Sequence, residues 1–176
     1  MLSPKHFTTE RLVISPTVEE DAPFIFELMN TPKWLEFIGD RNINTEDDAQ
    51  NYIRTKIATQ FERLGFSNYT VKRKMDQKRI GSCGLYDREG LSGIDLGFAF
   101  LPEYEGKGYA FEAAQRILEA AFQDFGISRL SAITVQNNFA SQKLLERLNF
   151  KVEGLIRLPH DDEELLHYSL THHTIV

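Results

Sequence analysis

Between residues 101 and 126 the chain reads LPEYEGKGYAFEAAQRILEAAFQDFG, with Ala110, Ala113, Ala114, Ile117, Leu118, Ala121, Phe122 and Phe125 recurring at intervals of three and four. That spacing predicts a long amphipathic helix, and Gly126 stands where such a helix stops. Ahead of it, Ile94 to Leu101 is an apolar run bounded by Gly93 and Pro102, which predicts a mostly buried strand. The two are joined by Gly106-Lys107-Gly108, so the order is strand, glycine turn, helix.

The rest of the chain divides in the same way. Arg11 to Ser15 is a short apolar strand closed by Pro16. A helix should then begin near Glu20, because acidic residues suit a helix start and Pro23 is tolerated only in a first turn; Thr31-Pro32 should end it. Lys33 to Asp40 reads as an aromatic-rich connection carrying the single tryptophan, Trp34. Thr45, with Asp48 three residues on, has the pattern of a capped helix start. Ala49, Tyr52, Ile53, Ile57, Phe61 and Leu64 supply its apolar stripe and Gly65 its stop.

Three antiparallel strands should follow, 68–72, 79–86 and 93–101, with turns at Met75 to Lys78 and Asp87 to Gly90. Arg129 to Val135 alternates poorly and suits a strand buried on both faces. Asn137-Asn138 opens a further helix with Ala140, Leu144, Leu145 and Leu148 inward, and Asn149 at its end readily accepts a left-handed cap. Residues 150–157 and 165–171 form a last hairpin, joined by the acidic stretch Leu158 to Glu164.

A chain of 176 residues, 41% of them hydrophobic, is expected to form one domain with a sizeable core. No run approaches the ~20 apolar residues of a membrane span and the start has no apolar signal core, so a cytoplasmic protein is expected. The net charge of −6, without a basic run, argues against nucleic acid as a partner and suits a cationic one. The lone cysteine, Cys83, sits in an alternating apolar stretch and reads as a strand residue, not a nucleophile. The histidines lack ligand spacing, His172-His173 lying at the end of the chain, so no metal is expected.

Chemistry concentrates at the glycine turn. A helix start has unpaired N–H groups and roughly half a positive charge, and glycines let the backbone approach an anion closely. Lys107 adds a full positive charge, and the geometry suits phosphate. An ordinary strand-to-helix turn has the same pattern. It is not a P-loop, since Lys107 is followed by Gly108, nor a dinucleotide fingerprint, since Phe111 replaces the third glycine.

The stretch Glu103 to Ala113 resembles the acetyl-CoA pyrophosphate loop of the GNAT N-acetyltransferase superfamily, in the form PxYxGKGYAxEA of its ribosomal-protein N-terminal acetyltransferase branch. Thr9-Glu10-Arg11-Leu12 resembles the family's first strand and Ile94 to Phe98 its fourth. Asn138 to Ser141 with Leu144 to Phe150 resembles its NxxSxxLLEKLGF helix. Glu103, where Gln or Arg is preferred, and Asn149, where glycine is usual, are departures.

The resemblance implies an α/β fold of the α+β type: a mixed sheet of about seven strands, splayed between the fourth and fifth, with about four helices. It implies acetyl-CoA as co-substrate, its pyrophosphate held by Gly106, Lys107, Gly108, Tyr109 and Ala110. The main chain of Phe98, Ala99 and Phe100 would bind the pantetheine amides and acetyl carbonyl, and Asn138 the pantetheine arm. Many members protonate the leaving thiolate with a tyrosine at the position of Leu145; here the branch's serine, Ser141, is the candidate, by hydrogen bond or relay. Asp95 is the candidate base. Each has a plain alternative: a helix cap for Asn138, a first-turn serine for Ser141, an ion-paired strand carboxylate for Asp95. The acceptor is expected to be an amine, a protein N-terminal α-amine ahead of a small-molecule amine, with a non-catalytic acyl-CoA-binding module as the other reading. The chain is expected to act as a monomer or homodimer.

Overall fold

The computed structural model describes residues 3–172. Its strands are β1 (Phe7–Thr8), β2 (Leu12–Pro16), β3 (Asn68–Arg73), β4 (Arg79–Tyr86), β5 (Ile94–Phe100), β6 (Arg129–Val135), β7 (Lys151–Ile156) and β8 (Leu165–Thr171). They form one mixed sheet in the order β1-β2-β3-β4-β5-β6-β8-β7. The expected seven strands are all present, with β1 added; two residues are too short to leave a periodic signal, and β1 exists because Phe7 and Thr8 pair with Ile14 and Val13.

The helices are α1 (Ala22–Met29), entered through a 3-10 turn at Glu19–Asp21, α2 (Pro32–Phe37), α3 (Glu46–Tyr52), α4 (Thr59–Leu64), α5 (Tyr109–Gln123) and α6 (Phe139–Arg147). Helix α2 corrects the reading of Lys33 to Asp40 as a connection. Thr31 and Pro32 do end α1, but they also start α2: the Thr31 hydroxyl accepts the Trp34 N–H at 3.4 Å and Pro32 takes the first position, where its missing N–H costs nothing. The capped start at Thr45 forms as expected, with Asp48 N–H donating to Thr45 Oγ1 and Thr45 N–H to Asp48 Oδ2, both at 3.0 Å. The helix that follows is not uniform. Residues Ile53–Ala58 widen into a π-helical turn between α3 and α4.

Helix α5 packs closely because its inward residues are small. Ala113, Ala114, Ala120 and Ala121 are fully buried around Ile117, whose burial alone is worth about 2 kcal/mol. Asn149 takes φ 68°, the left-handed cap expected of it. Cys83 is fully buried in β4, and burial pushes its thiol well above the ordinary range.

The sheet has two distinct faces. Tyr69 packs on Phe7, which in turn meets Phe125 just beyond α5, so α5 covers the face of Tyr69. Cross-strand register puts Cys83 and Phe98 on that face too. Thr70, one residue on, points the other way and donates to Asp21 Oδ2 at 2.9 Å, while Arg79 Nε donates to Asp21 Oδ1 at 2.6 Å. Helix α1 is thereby anchored on the opposite face from α5. The central sheet is covered on both sides.

Candidate active site

Strands β5 and β6 are parallel and pair for only two rungs, Ile94 with Leu130 and Asp95 with Ser131. Beyond that they part. On their outer sides each stays paired along its length, β5 with β4 from Asp95 to Phe100 and β6 with β8 from Arg129 to Val135. The main-chain groups of Phe98, Ala99 and Phe100 that face β6 therefore border an open wedge, the splay that the family resemblance implied.

At the mouth of the wedge, Pro102–Tyr104 forms a 3-10 turn and the chain reverses through Gly106 (φ 71°) and Gly108 (φ 82°) into α5. Side chains other than glycine rarely adopt these angles. The first main-chain bond of the helix runs from Glu112 N–H to Gly108 O at 3.1 Å. The N–H groups of Gly108, Tyr109, Ala110 and Phe111 thus have no main-chain acceptor among the described residues, and an anion fits there. Lys107 does not reach outward: its Nζ donates to Glu103 O at 2.8 Å and stabilises the 3-10 turn.

Across the wedge, Asn138 caps α6 by accepting the Ser141 N–H on its Oδ1 at 3.3 Å. This leaves the amide NH2 of Asn138 free to donate, so capping and ligand binding are compatible. The Ser141 hydroxyl has no partner among the described hydrogen bonds and is half-buried. Helix α6 shares the face of α5, since the guanidinium of Arg147 at its end lies 4.1 Å from the ring centre of Phe111 in the first turn of α5.

Asp95 lies on the other face. It is 1% exposed and 3.2 Å from Arg88 Nε. Burial pushes its carboxyl above the usual carboxylate range even though Arg88 opposes the shift. Beside it Ser131 Oγ lies 2.9 Å from His167 Nε2, so Asp95, Ser131 and His167 form a polar row across β5, β6 and β8 at the base of the wedge. The structure thus separates the expected residues: Gly106 to Ala110, Phe98 to Phe100, Asn138 and Ser141 border the wedge on the α5–α6 side, and Asp95 sits beneath it.

Two residues escaped the sequence reading. Arg11, noted only as part of a strand, reaches the glycine turn, and His167 joins the polar row. Both reach the site by contacts far apart in the chain, Arg11 from between β1 and β2 and His167 through strand register. The acidic connection Asp161 to Glu164 is exposed, and Pro159 lies against Gly90 in the turn after β4, close enough that a Cβ on Gly90 would meet Pro159 Cδ at 2.3 Å. Among the described residues no group of acidic, His or Cys side chains has the makings of a metal site, and no helix is long and apolar enough to cross a membrane.

Chains similar to this one are known by sequence and by structure. An uncharacterised N-acetyltransferase of Bacillus subtilis, YoaA, is 26% identical over 150 residues, covering 85% of this chain and 84% of that one. A putative ribosomal N-acetyltransferase of the same organism, YdaF, is 27% identical over 99 residues, half of this chain. Among solved structures, an acetyltransferase from Agrobacterium tumefaciens superposes with a TM-score of 0.81 at 22% identity, covering 98% and 97% of the two chains. The ribosomal-protein-S5-alanine acetyltransferase of Vibrio fischeri does so with 0.80 at 19%, covering 95% and 96%. These two establish likeness of fold. The family model described as acetyltransferase (GNAT) domain matches residues 11–151, and with most of the chain so matched the protein belongs to the GNAT acetyltransferase family, an acetyl-CoA-dependent N-acetyltransferase acting on an amine.

Proposed function

We propose that this acetyltransferase modifies the α-amine at the N-terminus of a protein. The observation that carries the reading is the state of Asp95: the carboxylate at the last paired rung is buried and committed to Arg88, so it offers the wedge no exposed base. An α-amine with a pKa of about 7.7–8.0 is roughly a tenth neutral at pH 7, whereas a lysine side chain near 10.4 is neutral in well under one molecule in about a thousand. A site of this kind suits the amine that needs least help. The exposed acidic residues Asp161 to Glu164 attract a basic peptide segment.

In this reading the amides of Gly106 to Ala110 hold the coenzyme pyrophosphate, the β5 edge at Phe98 to Phe100 binds the arm and the acetyl carbonyl, and Asn138 donates its amide to the arm. Acetyl-CoA supplies the activated acetyl group. The amine nitrogen bonds to the acetyl carbon as the carbon–sulfur bond breaks. The β5 amides steady the charge that builds on the carbonyl oxygen, and Ser141 donates a hydrogen bond to the departing sulfur. The amine sheds its proton to solvent, since Asp95 is 1% exposed and held by Arg88. Much of the acceleration comes from holding the two reactants in line.

The test is a panel of acceptors: basic peptides with free N-termini, the same peptides blocked at the N-terminus but containing lysine, polyamines and aminoglycosides. Thiol release gives the rate and mass spectrometry the modified atom. Acetylation of the free N-termini is expected. Turnover confined to lysine side chains or small amines contradicts the reading, and coenzyme binding without any turnover would favour a coenzyme-sensing module.

A further inference from the structure

Arg11, between β1 and β2, reaches 101 positions along the chain to Glu112 and is held on three sides. Its main-chain N–H donates to Glu112 Oε1 at 2.9 Å and its Nε to Glu112 Oε2 at 2.7 Å. Its Nη1 donates to the main-chain carbonyl of Lys107 at 3.0 Å, and the guanidinium lies 4.3 Å from the Tyr109 ring centre. The Thr9 hydroxyl also donates to Glu112 Oε1, at 2.5 Å, so that carboxylate is fixed in turn. Each of these side-chain contacts of Arg11 falls on the glycine turn or on the first turn of α5.

The Lys107 carbonyl is the informative partner. A trans peptide is planar, with its C=O and the following N–H pointing in opposite directions. A carbonyl drawn back onto Arg11 therefore aims the Gly108 N–H away from Arg11, outward from the turn. Without that bond the peptide between Lys107 and Gly108 is freer to rotate, since Gly108, at φ 82°, resists no particular angle. A charged donor holds such an acceptor about twice as strongly as a neutral one.

We propose that Arg11 is a positioning residue for the pyrophosphate of the coenzyme: by holding the Lys107 carbonyl it aims the Gly108 amide at the anion, with Glu112 keeping the guanidinium in place. The proposal rests on the reading of the α5 start as the pyrophosphate site. Arg11 acts through the main chain, and its effect is confined to ligands that carry the diphosphate.

That confinement makes the test. Calorimetry measures CoA directly and ADP and pantetheine by displacement of CoA, for the wild-type chain and for Arg11→Met. The variant should bind CoA and ADP about tenfold more weakly, the worth of one charge-assisted hydrogen bond, and pantetheine unchanged. In NMR spectra the Gly108 amide should move on addition of ADP to the wild-type chain and much less in the variant. Arg11→Lys should not restore affinity, because one ammonium cannot reproduce the planar fork that serves Glu112 and Lys107 together; it also carries the comparison if Arg11→Met does not fold. ADP affinity equal to wild type, or equal weakening of all three ligands, overturns the proposal. A wild-type chain that binds CoA and pantetheine with no displacement by ADP overturns it while sparing the coenzyme site, and one that binds no CoA overturns both.

Discussion

The carboxylate of Asp95 lies 3.2 Å from Arg88 Nε on the last rung at which β5 and β6 still pair. Burial disfavours the charge on both partners, yet each shifts the other toward its charged form, and Arg88 is raised above its ordinary value by Asp95 despite its own burial. Breaking one side of such a pair strands the other charge. Arg88→Met should therefore destabilise the fold by about 3 kcal/mol, and Arg88→Met combined with Asp95→Leu by less than that. Urea unfolding of the single and double variants measures both; a double variant less stable than the single contradicts the pairing argument.

Ser141 offers its hydroxyl at the α6 start, with no competing partner among the described hydrogen bonds. Ser141→Ala is expected to lower turnover by about tenfold or more while leaving the Michaelis constant for acetyl-CoA unchanged, as the loss of a bond made only to the departing sulfur requires. Steady-state kinetics with the best acceptor of the panel decides. Unchanged turnover removes Ser141 from the mechanism.

The acidic segment packs its Pro159 against the β4–β5 turn, and its four carboxylates face solvent. Replacing Asp161, Asp162, Glu163 and Glu164 by their amides should raise the Michaelis constant for a basic acceptor at low salt and leave it little changed at about 1 M salt, where the Debye length is about 3 Å. A constant that ignores both the substitutions and salt leaves this segment without a part in acceptor recognition.

Glu112 predicts a pH effect. Burial alone would raise its carboxyl, but the bonds from Thr9 and from the main chain and guanidinium of Arg11 together hold it below the ordinary value. A depressed value in the folded state means that stability is present above the unfolded-state pKa of about 4.3 and is lost as pH falls through the lower folded value. Denaturation midpoints should separate the wild-type chain from Glu112→Gln at pH 7 and draw together as the pH falls below the ordinary carboxylate range. A separation that does not change with pH excludes this source of acid sensitivity.

Cys83 should be inert. It is fully buried with its thiol pushed up by desolvation, so alkylation of the folded chain should track unfolding and not reagent concentration. Rapid labelling under native conditions would place it elsewhere.

What could be read in advance was local. The α5 stripe, the glycine turn, the Thr45 cap and the left-handed Asn149 each depend on residues within one or two turns, and each appears as expected. Thr31-Pro32 misled because the same pair that closes one helix opens the next. The remaining features are products of register. Asp95 meets Arg88 across a turn, Ser131 meets His167 from 36 positions away, and Arg11 meets Glu112 from 101. No periodicity in the chain encodes which strand lies beside which, so these partners emerge only once the sheet is assembled.

The most direct measurement is a crystal structure of the chain with CoA. The pyrophosphate should lie within hydrogen-bond distance of the amides from Gly106 to Ala110, with the pantetheine arm running between β5 and β6 past Phe98 to Phe100 and toward Ser141. A coenzyme seated outside that wedge, or a diphosphate that touches none of those amides, would contradict the account.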